Sequence, residues 1–200
     1  PGASVIRVIT EQPLNLSQSY NLVVDGVADR RVRQVVSPGR VMETLYSTKE
    51  LGVSLDRARN LTTYRLFAPR AKSVHLNIFA TPEYEVQKPA YRRLAPAERY
   101  AMWKDEAAGV WEIALLGLDI GKYYSFNVDG PIGEGEGFNG MAYVSDPYSI
   151  ASAHSQNNSI VMDREATNQW FGGWTDHDRK APAHEDVVIA KVHVRNLTIH

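Results

Sequence analysis

From Thr62 onward the chain alternates apolar and polar positions with the period of a half-buried strand. Tyr64, Leu66 and Ala68 fall on one face, and beyond a turn at Pro69 to Lys72 the positions Val74, Leu76 and Ile78 repeat the pattern, with Arg65, His75 and Asn77 opposite. These two runs are expected to pair as a hairpin. Three more runs follow: Arg99 to Lys104, Val110 to Leu115 and Lys122 to Asp129. Trp111, Ile113 and Leu115 share one face of the second, and Tyr124, Phe126 and Val128 share a face of the third. Short strands at this spacing predict an all-β fold, an immunoglobulin-like β-sandwich.

The flanks are patterned differently. Val5 to Ile9, Tyr20 to Asp25 and Arg31 to Val36 are short β-type runs, with turns at Asn15-Leu16-Ser17 and Asp25-Gly26, and they suit a partial upstream β module. Ser37-Pro38-Gly39 interrupts that pattern and places a boundary between residues 37 and 50. Beyond the sandwich, Asp146-Pro147-Tyr148 closes the region and Ile160-Val161-Met162 forms a last short run. Asn168 to Glu185, with its Gly, Pro, Asp and two Trp residues, is expected to be a connecting loop. Val187 to Ala190 is a continuous apolar run, which suits a strand covered on both faces as in a parallel sheet. Parallel strands require crossover partners, so the expectation is the front part of a larger protein. Three regions result: 1–46, 47–165 and 166–200.

Composition narrows the function classes. A formal net charge of -1 without long charged runs offers no basic surface to nucleic acid and no polybasic patch to a membrane. With Cys at 0 there is neither a disulfide framework nor a thiolate metal site, which leaves the compartment open; the expectation is a secreted or cell-surface location. Asp176-His177-Asp178 and His184-Glu185-Asp186 lack the helical spacing of metal-ligand motifs, so no metal is expected. Gly135-Glu136-Gly137-Phe138-Asn139-Gly140 satisfies the dinucleotide-binding glycine pattern, but Glu134 and Glu136 repel phosphate and no helix pattern follows. A tight surface loop and no cofactor are the expectation.

One ordered set of motifs carries a resemblance. Leu51-Gly52, Tyr64-Arg65-Leu66-Phe67-Ala68-Pro69, Gly109-Val110-Trp111-Glu112, Gly121-Lys122-Tyr123-Tyr124 and Asp146-Pro147-Tyr148 together are similar to the isoamylase-type N-terminal module of α-glucan debranching enzymes. Glu185 to Thr198 resembles the first strand of the (β/α)8 barrel in type I pullulanases. The resemblance implies a parent glycoside hydrolase that cleaves α-1,6 linkages of pullulan, starch or glycogen with a pair of carboxylates. In that family the pair lies on later barrel strands, so no catalytic residue is assigned here. The chain itself is expected to be inactive, a scaffold or weak glucan-binding module packed beside the barrel. The alternative is a stand-alone glucan-binding or protein-interaction sandwich.

Departures from the family matter for binding. Glycogen-binding modules of the kinase β-subunit type carry a Lys where Ser125 stands in Tyr124-Ser125-Phe126-Asn127-Val128-Asp129-Gly130, and a Trp just after that Gly, where Pro131-Ile132 stands here. The family barrel strand has Tyr-Glu-Val-His where Ala190-Lys191-Val192-His193 stands. The candidate glycan-binding residues are Trp103, Lys104, Phe138 and Tyr143. Trp103 is the candidate sugar platform, although packing is its expected role; Trp111 is expected in the core, and Trp170 and Trp174 as loop anchors.

Overall fold

A computed structural model of the chain describes residues 9–27, 30–36, 39–82, 84–87, 90–93, 95–153, 158–170, 172, 178–188 and 191. It divides into two compact units, residues 1–163 and residues 164–200. In the first unit, β1 (Tyr20–Val27) and β2 (Arg30–Val36) form an antiparallel pair, and a single helical turn α1 (Gly39–Met42) follows. The strands of the sandwich are β3 (Gly52–Asp56), β4 (Leu61–Phe67), β5 (Ser73–Phe79), β6 (Tyr84–Gln87), β7 (Ala90–Arg93), β8 (Glu98–Ala101), β9 (Trp103–Asp105), β10 (Val110–Leu116), β11 (Tyr123–Asp129) and β12 (Ser159–Ile160). They build two four-stranded antiparallel sheets, ordered β3-β4-β10-β9 and β12-β11-β5-β8, with β6 and β7 as a separate two-stranded ribbon.

The core lies between the two sheets. Tyr64 and Leu66 of β4 and Trp111 of β10 meet Val74, Leu76 and Ile78 of β5 and Tyr124 and Phe126 of β11, all of them the inward positions of the alternation. Ile113, Leu115 and Val128 pack against this cluster from the same faces. Each large side chain buried this way contributes about 1.5–3 kcal/mol relative to exposure.

Three expectations are corrected. β4 and β5 are not a hairpin: β4 pairs with β3 and β10, and β5 pairs with β8 and β11, so the Pro69 to Lys72 connection arches from one sheet to the other. Alternation records which face is buried but not which neighbour supplies the hydrogen bonds, and the turn lacks the Asn-Gly or Asp-Gly signal of a tight hairpin. The run Arg99 to Lys104 is likewise two strands. At Met102 the chain leaves β5 for β10; its side chain is buried, and its N–H bonds the Val74 carbonyl at 3.0 Å. Asp25-Gly26 lies within β1 at an irregularity in the ladder rather than forming the turn.

In the second unit, α2 (Arg164–Trp170) occupies the start of what was expected to be loop, and a 3-10 turn spans His184–Asp186. Seven residues give α2 too short a periodic signal to be seen in sequence. Val187 and Val188 carry no strand pairing, and Val188 is 95% exposed. The rest of the expected terminal strand apart from Lys191, together with Val5 to Val8, Trp174 and most of Asp176-His177-Asp178, lies outside the described residues.

Candidate functional site

β9 is an edge strand, and its alternation sends successive side chains to opposite faces of the sheet. Its register sets Trp103 opposite Glu112 and Lys104 opposite Trp111, and β10 in turn sets Glu112 opposite Arg65 of β4. Because Trp111 points into the core, Lys104 follows it inward, whereas Trp103 shares the outer face with Glu112 and Arg65. The exposures agree. Trp103 is 81% exposed and Trp111 6%. Within the described residues Trp103 is exposed rather than packed, and Trp111 lies in the core as expected, with its indole N–H donating to the Ala68 carbonyl at 2.9 Å.

An ordered charged network stands beside the exposed indole. Lys49 Nζ lies 3.1 Å from Asp105 Oδ2 and 3.5 Å from Glu112 Oε1. Arg65 pairs through Nε with Glu112 Oε2, and its Nη1 donates to Ser54 Oγ at 3.1 Å. Asp105 Oδ1 accepts the Ala108 N–H at 3.2 Å, so the carboxylate also closes the turn into β10. The hydrogen bond from Lys49 holds the Asp105 carboxyl below its ordinary range, helped by Ala108. Burial opposes ionisation of Glu112, but the hydrogen bond and charge of Arg65, with Lys49, outweigh it and its carboxyl is also held low. Asp105 in turn raises the Lys49 ammonium, against burial. Asp105 and Glu112 are thus both held in the ionised form by the cations they contact.

The four candidate side chains are not one cluster. Lys104 Nζ stands 5.9 Å above the Trp111 ring and pairs with Glu106 at 2.8 Å, facing a crevice of about 360 Å³ beside Pro69 and Gly109. Phe138 is half-buried and lines an open depression of about 550 Å³ with Leu66, Phe126, Val128 and Val144. Arg70 lies 5.8 Å from the Phe138 ring centre and pairs with Glu136 at 2.6 Å, so the glycine-rich loop is held by an ion pair and no helix follows it. Tyr143 meets Phe79 edge to face at 5.4 Å.

On the opposite sheet the outward positions Ser125 and Asn127 of β11 are covered. Ser125 is 1% exposed and faces Asn77, which is 0% exposed; Asn77 donates to Asn127 at 2.9 Å, and Asn127 donates to the Ala142 carbonyl at 2.8 Å. Among the described residues no group of three or more His, Asp or Glu is placed to hold a metal.

The sequence profile of carbohydrate-binding module 48 (isoamylase N-terminal domain) matches residues 50–149, which take in β3 to β11 and, of the site, Trp103, Arg65, Asp105 and Glu112 but not Lys49. The chain belongs to this family. Solved structures similar to this chain include the pullulanase of Paenibacillus barengoltzii, 27% identical over 80% of this chain with a TM-score of 0.55. The Bacillus acidopullulyticus pullulanase (21% identity, 78% of this chain, TM-score 0.54) and the Klebsiella pneumoniae pullulanase (18%, 74%, 0.57) share the fold. The chain spans 22%, 17% and 15% of those three chains. No match was found among curated protein sequences.

Within this carbohydrate-binding module Ser125 is buried and turned away from solvent. The network of Lys49, Arg65, Asp105 and Glu112 was not singled out from sequence. Arg65 and Glu112 were readable as outward positions of their strands; Lys49 sits in irregular chain, where no period predicts its neighbours.

Proposed function

We propose that this chain is the non-catalytic N-terminal part of an α-glucan debranching glycoside hydrolase, acting on α-1,6 linkages of pullulan, starch or glycogen. The observation that carries the reading is the family match over the sandwich, together with the pullulanases among its structural relatives. One of those relatives was crystallised with maltohexaose and α-cyclodextrin, which supports α-glucan as the partner class here. In this reading residues 1–46 are the tail of an upstream β module and linker, 47–165 the sandwich, and 166–200 the connector and first barrel strand. The sandwich packs on the barrel as a rigid spacer, and the carboxylates of hydrolysis belong to the barrel.

The test uses the parent polypeptide and this chain side by side. Reducing-end release from pullulan is expected from the parent and not from residues 1–200 alone. A parent inactive on pullulan, amylopectin and glycogen would overturn the debranching assignment.

A further inference from the structure

We propose that the outer face of the β3-β4-β10-β9 sheet is an α-glucan docking site centred on Trp103, on the sheet that does not contain β11. Three observations support it. The indole is 81% exposed on an edge strand although the core is complete without it, Trp111 filling the adjoining inward position. A large exposed aromatic plane offers a rigid stacking surface for the apolar face of a pyranose ring, at little cost in side-chain entropy.

The groups around the indole suit hydroxyls. Asp105 is two residues along the same face, Glu112 is directly opposite, and Lys49 bridges the two carboxylates. Each carboxylate has about four acceptor sites and an ammonium three donors, so the ion pairs leave capacity for ligand hydroxyls. Because ion pairs already order these side chains, docking a sugar immobilises little that is free. The charges balance, Lys49 and Arg65 against Asp105 and Glu112, which selects an uncharged polyhydroxyl ligand over an anionic one. Meanwhile Ser125 and Asn77 are sealed on the other sheet, so these outward positions of β11 and β5 offer no contact to a ligand. The choice of α-glucan rests on the family reading.

The experiment is affinity electrophoresis of residues 1–200 in gels with and without glycogen, with titration of tryptophan fluorescence by maltoheptaose. Retardation in glycogen, unchanged when salt is raised, is expected for the unaltered chain. Trp103→Ala should weaken it about tenfold or more while leaving the circular dichroism spectrum and thermal midpoint in place. Trp103→Phe should retain part of the retardation, and Glu112→Gln should weaken it. An unaltered chain that runs freely, or a folded Trp103→Ala variant retarded as strongly as its parent, would overturn the proposal. Retention that depends on Trp103 in a chain whose parent fails to cleave pullulan would leave the docking site standing and remove only the debranching reading.

Discussion

Tyr124 donates its phenolic hydrogen to Asp146 Oδ2 across 2.7 Å in the interior of the sandwich. That bond ties two motifs 22 residues apart, the Tyr124 to Gly130 strand and the Asp146-Pro147-Tyr148 corner. Asp146 Oδ1 also accepts the Tyr148 N–H at 2.8 Å, and the Asp146 N–H donates to Ser159 Oγ at 2.9 Å, so one buried carboxylate organises the exit from the sheet. Tyr64 repeats the arrangement, donating to Asp119 Oδ2 at 2.9 Å, and the two rings meet edge to face at 5.2 Å. Burial, then the facing aspartate, pushes both phenols far above their ordinary range, so both remain donors throughout the working pH.

Removing the Tyr124 hydroxyl leaves a buried carboxylate short of a donor. Tyr124→Phe is expected to cost about 1–3 kcal/mol, read as a lower urea midpoint at unchanged slope. A midpoint equal to that of the unaltered chain would show that Asp146 is satisfied without Tyr124.

Acid should weaken the fold. Asp105, Glu112 and Glu136 have folded-state carboxyls held low, so their stabilisation is present above the ordinary carboxylate value of roughly 4 and is lost as pH falls through the lowered values. Asp146 has the opposite sign: burial raises it against the hydrogen bonds of Tyr124 and Tyr148, so its contribution is greatest at low pH and is lost as pH rises through the raised value. With three groups against one, unfolding free energy is expected to fall on acidification below about pH 4. Glu112→Gln should flatten that slope, and a steeper acid dependence in the variant would contradict the assignment.

The two tryptophans of neighbouring strands should respond oppositely. Trp111→Ala empties the centre of the core and is expected to cost about 3–5 kcal/mol. Trp103→Ala, on the outer face, should stay within about 0.5 kcal/mol of the unaltered chain. Equal thermal shifts for the two variants would refute the face assignment of β9.

Gly109 is a position where the fold leaves no choice of residue. Its φ is +68°, and a Cβ there would stand 2.7 Å from Pro69 Cβ and 3.1 Å from Leu45 Cδ1. Gly109→Ala is therefore expected to destabilise by about 2 kcal/mol, combining left-handed strain with the clash. Calorimetry of the purified variant reads this directly, and an unshifted midpoint would argue against the turn geometry.

Much of the sandwich is legible in the sequence. The alternation at Tyr64, Leu66, Val74, Leu76, Tyr124 and Phe126 named most of the core correctly, because the two-residue period of a strand is a local property of backbone geometry. The pairing of those strands is not legible: the alternation suits a β4–β5 hairpin, although the two lie in facing sheets. The candidate site divided in the same way. Trp103 and Lys104 are adjacent in sequence and both are candidates there, yet the pleat puts them on opposite faces.

Sequence alone determined that this chain makes short, half-buried strands with a carbohydrate-module motif order and which side chains face inward, since both depend on near neighbours along the backbone. Tertiary structure alone decided which sheet each strand joins, that Met102 marks a change of sheet, and that Lys49, Arg65, Asp105 and Glu112 converge beside an exposed Trp103. Those contacts join positions up to 63 residues apart, and no periodicity in a linear chain encodes which distant charges meet once two faces have closed on a core.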